Sequence, residues 1–338
     1  MSNHYRVGIH TDETEGFGRP PRRTRPRTKQ RPDYSNAPVG RVITVDRGRY
    51  RCLVDDEQGH RIVTAAKARA LGRKGVIVGD NVRLDGDVSG TEGTLARIVE
   101  VVERTTVLRR TADDDDPYER PIVANADQLA IITALADPPP RTGMIDRMLV
   151  AAYDAGLSPL LVLTKADLAS PDELLVAYRG LEIPVEVTQP GSDLTSLRNR
   201  LAGRVTVFVG HSGVGKSTLV NALIPDADRA IGQVNVVTGR GRHTSTSAIA
   251  LELPEPGGWV IDTPGVRSFG LSHVTTDSII GAFTDLAAFV EGGPRGCQHD
   301  STAPECALDE AVARGELSAE RLESFRRMER VWTTDPIR

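Results

Sequence analysis

Gly210-His211-Ser212-Gly213-Val214-Gly215-Lys216-Ser217 is a complete match to G-x-x-x-x-G-K-[ST], and its flanks give the match physical meaning. The apolar run Val205-Thr206-Val207-Phe208-Val209 precedes it, and the helical pattern Ser217-Thr218-Leu219-Val220-Asn221-Ala222-Leu223 follows. A strand–loop–helix unit of this kind turns successive backbone N–H groups toward phosphate oxygens at a helix N-terminus. Gly210, His211, Ser212, Gly213, Val214 and Gly215 form the cradle, and Thr218 extends it along the helix. Lys216 meets the β and γ oxygens, and Ser217 holds Mg²⁺. Downstream, Asp262-Thr263-Pro264-Gly265 follows the strand-like Gly258-Trp259-Val260-Ile261. Asp262 can reach the Mg²⁺ shell, and Gly265 can offer its N–H to a γ-phosphate.

The third piece lies upstream of the first two. Thr164-Lys165-Ala166-Asp167 closes the apolar run Leu160-Leu161-Val162-Leu163, whereas in an ordinary GTPase this piece comes last. A carboxylate at Asp167 can accept from both N1–H and the 2-amino group of guanine, a donor pair that adenine lacks. Such paired polar contacts discriminate strongly, because the wrong base leaves buried groups without partners. Lys165 packs its stem along the base, and Thr164 stands where asparagine is usual. The companion base segment is Thr188-Gln189-Pro190-Gly191, in which a backbone N–H at Thr188 can reach guanine O6. The three pieces together predict GTP as the nucleotide and Mg²⁺ as its cation.

A chain of 338 residues predicts two or three domains. The formal net charge of −4 argues against a uniformly basic polyanion binder, but the distribution is uneven. From Arg19 to Arg31 the chain carries Arg22, Arg23, Arg25, Arg27 and Lys29 among prolines and no acid. No apolar stretch is long enough to span a bilayer, and the N-terminus lacks a secretory apolar core. Three cysteines make no disulfide framework, so the expectation is a reduced, cytoplasmic protein without membrane attachment.

Four regions follow. Residues 1–37 read as a disordered basic arm. Residues 38–108 hold short alternating runs, Gly40–Val45, Tyr50–Val54, Val76–Val78 and Leu95–Val99, that suit a small β-barrel of the oligonucleotide-binding type. Residues 109–270 form an α/β domain behind a charged link containing Asp113-Asp114-Asp115-Asp116, read as a solvated loop. Its predicted strands are Gln128–Leu135, Leu160–Thr164, Pro184–Thr188, Val205–Gly210, Ile249–Leu253 and Trp259–Asp262. Its helices are Met144–Ala155, Pro171–Tyr178, Leu194–Leu201 and Ser217–Ile224. The alternation gives a mostly parallel sheet with ligands at the carboxyl ends of strands, where all three motifs fall. Residues 271–338 read as mostly helical, with an irregular insert at Gly292–Glu305 and the best helix candidates over Asp277–Glu291 and Ser318–Val331.

This organisation resembles the circularly permuted ribosome-biogenesis GTPases of the RsgA, or YjeQ, family. The resemblance covers nearly everything after the basic arm. It includes Asn125-Ala126-Asp127-Gln128, Ile145-Asp146-Arg147, Gly241-Arg242-His243-Thr244, Gly265-Val266-Arg267 and Phe269-Gly270. It implies GTP hydrolysis stimulated by the small (30S) ribosomal subunit during late maturation of its decoding region. It also implies that the barrel and C-terminal region dock on 16S rRNA, with the protein acting as a monomer. Val266 stands where Ras-like GTPases carry a water-orienting glutamine, so another group must position the water. His243 is the nearest candidate and the resemblance points to it; the alternative is an RNA-facing or solvated histidine. Thr244 and Ser245 both offer a switch hydroxyl to Mg²⁺, and spacing does not choose between them.

Cys297, His299 and Cys306 look like three ligands of the family's zinc site, but the cysteine usual upstream of Cys297 is missing from Glu291-Gly292-Gly293-Pro294-Arg295-Gly296. Structural zinc is normally closed by four protein ligands. Three readings stay open: a carboxylate such as Glu291 or Asp300 completes the set, the site is weaker, or the metal is lost. Cys52 reads as a buried barrel residue. Two function classes compete, a GTP-hydrolysing assembly factor of the small subunit and an RNA-binding protein that uses GTP as a regulatory ligand with little hydrolysis.

Overall fold

The computed structural model describes residues 32–333 except 58, 73–74, 112–118, 226, 228–247, 264–268, 270, 272–273, 282, 292 and 295. The Arg19–Arg31 arm, His243, Thr244, Ser245, Gly265 and Val266 therefore lie outside the described residues.

Five strands follow the arm: β1 (Val39–Asp46), β2 (Arg49–Asp56), β3 (Gly59–Lys67), β4 (Asn81–Asp85) and β5 (Ala96–Val101). They pair in the order β1-β2-β3-β5-β4, and β4 returns to β1 through Gly40↔Val82, so the barrel closes. Alternation turns Val42, Cys52, Val54, Val63, Val82 and Ile98 inward, all fully buried. Cys52 is a core residue, and burial pushes its thiol up to about 12. Two of these strands escape the sequence reading, β3 and β4. Val76–Val78 forms no strand; it contributes a single bridge, Val78 to Val123.

Two paired strands flank the charged link, whose Asp113–Asp116 run lies outside the described residues. β6 (Val107–Thr111) and β7 (Glu119–Ala124) pair antiparallel on either side of residues 112–118. Where β7 ends, the barrel and the α/β sheet are joined tightly. A Cβ on Gly79 would stand 2.0 Å from the Ala124 carbonyl oxygen, and Gly79 has φ +88°, so only glycine fits there. Asn125 donates to the Gly79 carbonyl at 2.9 Å and accepts from the Thr105 N–H at 2.9 Å. Fully buried Asp80 accepts two bonds from Arg104, at 2.7 and 2.9 Å.

The α/β part comprises β8 (Gln128–Ala134), α1 (Thr142–Asp154), β9 (Ser158–Thr164), α2 (Asp172–Tyr178), β10 (Val185–Val187), α3 (Thr195–Leu201), β11 (Val205–Val209), α4 (Lys216–Leu223), β12 (Ile249–Glu252) and β13 (Trp259–Asp262). Its sheet runs β10-β9-β8-β11-β13-β12, parallel throughout except that β12 opposes β13. Strands β8 and β11 are buried along their whole length, which is why they read as unbroken apolar runs. Beyond β12 the sheet continues into the barrel: Ile249 pairs with Thr44 of β1, and His60 lies 3.5 Å from Glu252.

The C-terminal part holds α5 (Thr276–Ile280), α6 (Thr284–Val290), α7 (Ala307–Ala313) and α8 (Ala319–Thr333). The single helix expected over Asp277–Glu291 is two helices broken after Gly281, and α7 begins just past the expected irregular insert at Gly292–Glu305. These helices share one core with the α/β part. Phe283, Leu286, Leu308, Phe325 and Met328 pack with Ile145, Met148 and Leu149 of α1.

Candidate functional site: a phosphate loop, a base loop and a thiol–imidazole cluster

The phosphate loop occupies the turn from β11 into α4. A Cβ on Gly210 would meet the Ile132 carbonyl oxygen at 2.5 Å, so the loop's first glycine permits close approach to β8. Gly215 has φ +88° and leads straight into Lys216, the first residue of α4. Ser217 and Thr218 are exposed on the first turn, Val214 is buried, and the His211 ring contacts the Ser212 carbonyl at 2.8 Å. The helix N-terminus thus presents free N–H groups, a lysine and a hydroxyl together, an arrangement that attracts anions.

Asp262 ends β13 beside this loop, because β11 and β13 pair in parallel with Phe208 opposite Asp262. Its carboxylate forms an ion pair with the Lys216 ammonium. The next residue, buried Thr263, donates to the Phe208 carbonyl at 2.8 Å and fixes where the strand ends. A lysine and a carboxylate therefore meet at one strand end, with the exposed Ser217 next in the chain to the lysine.

The base loop is tied to the phosphate loop directly. Buried Thr164 donates from Oγ1 to the Val214 carbonyl at 2.5 Å. Lys165, at φ +58°, reaches the Asp137 carbonyl. A cavity of about 510 Å³ opens between Thr164, Lys165, Thr188, Asp193, Gly215 and Leu219. Asp167 is exposed and stands outside its walls, although Thr164 and Lys165 line it. Thr188 lines it too, but its N–H donates to the Leu163 carbonyl at 2.7 Å and is not available to a base. That backbone group is spent holding β10 to β9.

Two wall residues gave no motif signal. Asp193 accepts from the Thr195 N–H at 2.9 Å and its hydroxyl at 2.6 Å, bonds that hold its carboxyl below the ordinary aspartate value. Arg198 donates to the Ala222 and Leu223 carbonyls at 2.8 and 2.9 Å, closing the C-terminal end of α4. Each is an ordinary charged residue of a loop or helix in sequence, and only the fold brings them to the cavity.

Several segments that carried the family resemblance serve the frame. Asp127 accepts from the Val205 N–H at 2.8 Å and so aligns β11 with β8. Gln128 accepts from Thr206 at 3.1 Å. Buried Asp146 of α1 lies 3.4 Å from Arg327 of α8, and neighbouring Arg147 donates to the Phe269 carbonyl at 3.4 Å.

In the C-terminal part, donor atoms of Cys297, His299 and Cys306 lie within 4.8 Å of one another. His299 and Cys306 are buried and Cys297 half-buried. Burial raises the Cys306 thiol and lowers the His299 imidazole from their ordinary values. The carboxylates expected as a possible fourth donor do not join them: Asp300 is half-buried and accepts from the Thr302 N–H and hydroxyl, both at 2.7 Å, and Glu291 is exposed.

Comparison with known proteins agrees with this geometry. The family model described as RsgA GTPase matches residues 101–272. The small ribosomal subunit biogenesis GTPase RsgA of Pseudomonas syringae pv. tomato is 40% identical over 247 residues, covering 70% of both chains. Its namesake from Pseudomonas aeruginosa is 40% identical over 247 residues, 70% of this chain and 71% of that protein. Among solved structures, YjeQ from Thermotoga maritima superposes with a TM-score of 0.63 at 26% identity, over 88% of this chain and 99% of that one. YloQ, described as a circularly permuted GTPase, gives 0.62 at 25% identity over 89% and 96%. With its base loop ahead of its phosphate loop, a barrel before both and helices after them, the chain belongs to the RsgA GTPase family.

Proposed function

We propose that the protein hydrolyses GTP in the biogenesis of the small ribosomal subunit. The 30S particle stimulates it, and it acts late, around the decoding region. The observation that carries the reading is the meeting of the Lys216–Asp262 ion pair with a phosphate loop bonded to the base loop through Thr164. Gly210 to Thr218 and Gly265 hold the phosphates, and Lys216 steadies the charge that develops on them. Ser217, Asp262 and one of Thr244 and Ser245 would hold Mg²⁺, which when bound neutralises phosphate charge. Asp167, with Lys165, reads guanine. His243 positions the attacking water, since Val266 has no side-chain group that can.

Residues 38–108 form the RNA-facing barrel, 109–270 the permuted GTPase domain and 271–338 the helical C-terminal domain. Barrel and C-terminal domain contact 16S rRNA, and the protein works as a cytoplasmic monomer. Among the described residues, no helix is long and apolar enough to cross a membrane.

GTP turnover measured with and without purified small subunits tests the reading. Turnover that rises several-fold with subunits, and falls back in His243→Ala while GTP binding persists, is the expected result. Tight GTP binding with no turnover in either condition would instead favour an RNA-binding protein regulated by GTP.

A further inference from the structure

The donor cluster beside α7 has the spacing of a metal site and, among the described residues, stops at three ligands. His299 Nδ1 stands 3.4 Å from Cys306 Sγ. Two such donors on a tetrahedral zinc, at ordinary bond lengths, stand roughly 3.6 Å apart. The pair is therefore spaced to share one ion with shifts of a few tenths of an ångström. Two sulfurs and an imidazole form a soft donor set, which selects zinc over the hard cations that suit carboxylates.

The frame around the cluster is built from other residues. His299 has φ +60°, a left-handed conformation unusual for histidine, and its carbonyl accepts from Arg326 of α8 at 3.0 Å. Arg326 also donates to the Asp300 carbonyl at 3.1 Å and grips Asp309 of α7 through both carboxylate oxygens, at 2.9 and 2.7 Å. Cys306 directly precedes α7, and the N–H groups of Leu308 and Asp309 donate to its sulfur. These contacts hold both buried donors in place.

No fourth thiol can complete the set. The chain has three cysteines, and the third, Cys52, is fully buried in the barrel core. Asp300 is committed to Thr302, and Glu291 stays outside the cluster. Cys306 and His299 are buried at 2% and 7% exposure, so solvent meets the cluster from the side of half-buried Cys297.

We propose that Cys297, His299 and Cys306 bind one zinc ion whose fourth ligand is a solvent molecule, exchangeable for a small anion. Structural zinc closed by four protein ligands resists such exchange, and an exchangeable position is otherwise the property of catalytic zinc sites. The inference does not depend on the nucleotide reading, because none of its residues lines the nucleotide cavity.

Cobalt substitution in the full-length protein tests it. Co²⁺ should bind at one equivalent per chain, with thiolate-to-cobalt absorption that weakens in Cys297→Ser. Adding azide should then shift the visible bands of the bound cobalt and saturate. Bands that azide leaves unmoved would mean that a fourth protein group closes the site, and the proposal fails. It fails equally if no cobalt binds, or if Cys306→Ser binds cobalt as the wild type does. Zinc content of protein prepared without chelator gives an independent readout, and a value near zero together with no cobalt uptake would assign the cluster no metal.

Discussion

Thr164 replaces the asparagine usual at its position, and the hydroxyl finds an acceptor in the phosphate loop, the Val214 carbonyl at 2.5 Å. Thr164→Val keeps the shape and removes that bond. One neutral hydrogen bond is worth about 1 kcal/mol, roughly a fivefold weakening of GTP affinity, and Thr164→Ser should restore most of it in a fluorescent-nucleotide titration. Base choice belongs to a different residue. Asp167→Asn should weaken GTP and strengthen xanthosine triphosphate, because an amide can donate to the xanthine 2-oxygen. A competition assay with unchanged preference would remove Asp167 from the base site. Motif residues such as Lys216 and Asp262 were legible because phosphate chemistry restricts which side chains serve. The commitment of the Thr188 N–H to Leu163 was not legible, since it depends on how two strands end in space.

Among elements, legibility follows burial. Buried parallel strands such as β8 and β11 are written as apolar runs, and their expected limits agree with the structure to within a residue. β3 carries His60, Ile62, Thr64 and Ala66 on a barrel face open to solvent, so apolar residues stand on both faces and its alternation is faint. The helix expected over Asp277–Glu291 divides at Gly281, whose N–H closes the last turn of α5 on the Asp277 carbonyl at 3.2 Å; a capping box of Thr275 and Ser278 fixes where α5 starts, and Ser278 also bonds Asp154 of α1 at 2.9 Å. Contacts across elements set another expectation. Asp146 of α1 is buried with Oδ1 lacking a hydrogen bond, and Arg327 of α8 stands 3.4 Å away, stacked 4.7 Å from the Tyr178 ring. Arg327→Met leaves that carboxylate buried without a counter-charge and should cost about 3–5 kcal/mol. Adding Asp146→Leu should recover most of the loss, because two apolar side chains of similar bulk replace the pair. Chemical denaturation of the two variants measures the difference.

At the scale of the whole molecule, the net charge of −4 conceals a basic segment at Arg19–Arg31. If that segment neutralises ribosomal phosphates, each contact releases counterions. The full chain should then bind small subunits with a steeper dependence on salt than a truncation beginning at Pro38. Equal slopes would leave the segment without a role in binding. The shared core of α1 with Phe283, Phe325 and Met328 carries a related expectation for the other end of the chain. The C-terminal helices and the α/β sheet should unfold in one transition, since neither keeps a complete apolar core without the other.

The pairing of β12 with the barrel strand β1 has a consequence for aggregation. Among the named strands, the closed barrel and that pairing leave the large sheet a single open edge, at β10, only three residues long. So short a rim is a poor template for another chain. Cutting away the barrel would unmask the backbone edge of β12 where Ile249 pairs with Thr44, while the Ile249 and Leu251 side chains stay in the α/β core. The bare α/β part would then carry a second rim with unsatisfied backbone groups, which promotes strand-to-strand association. Light scattering should find a chain beginning near Val102 associating at concentrations where the intact protein does not. In this protein the barrel doubles as the guard of its neighbour's strand edge.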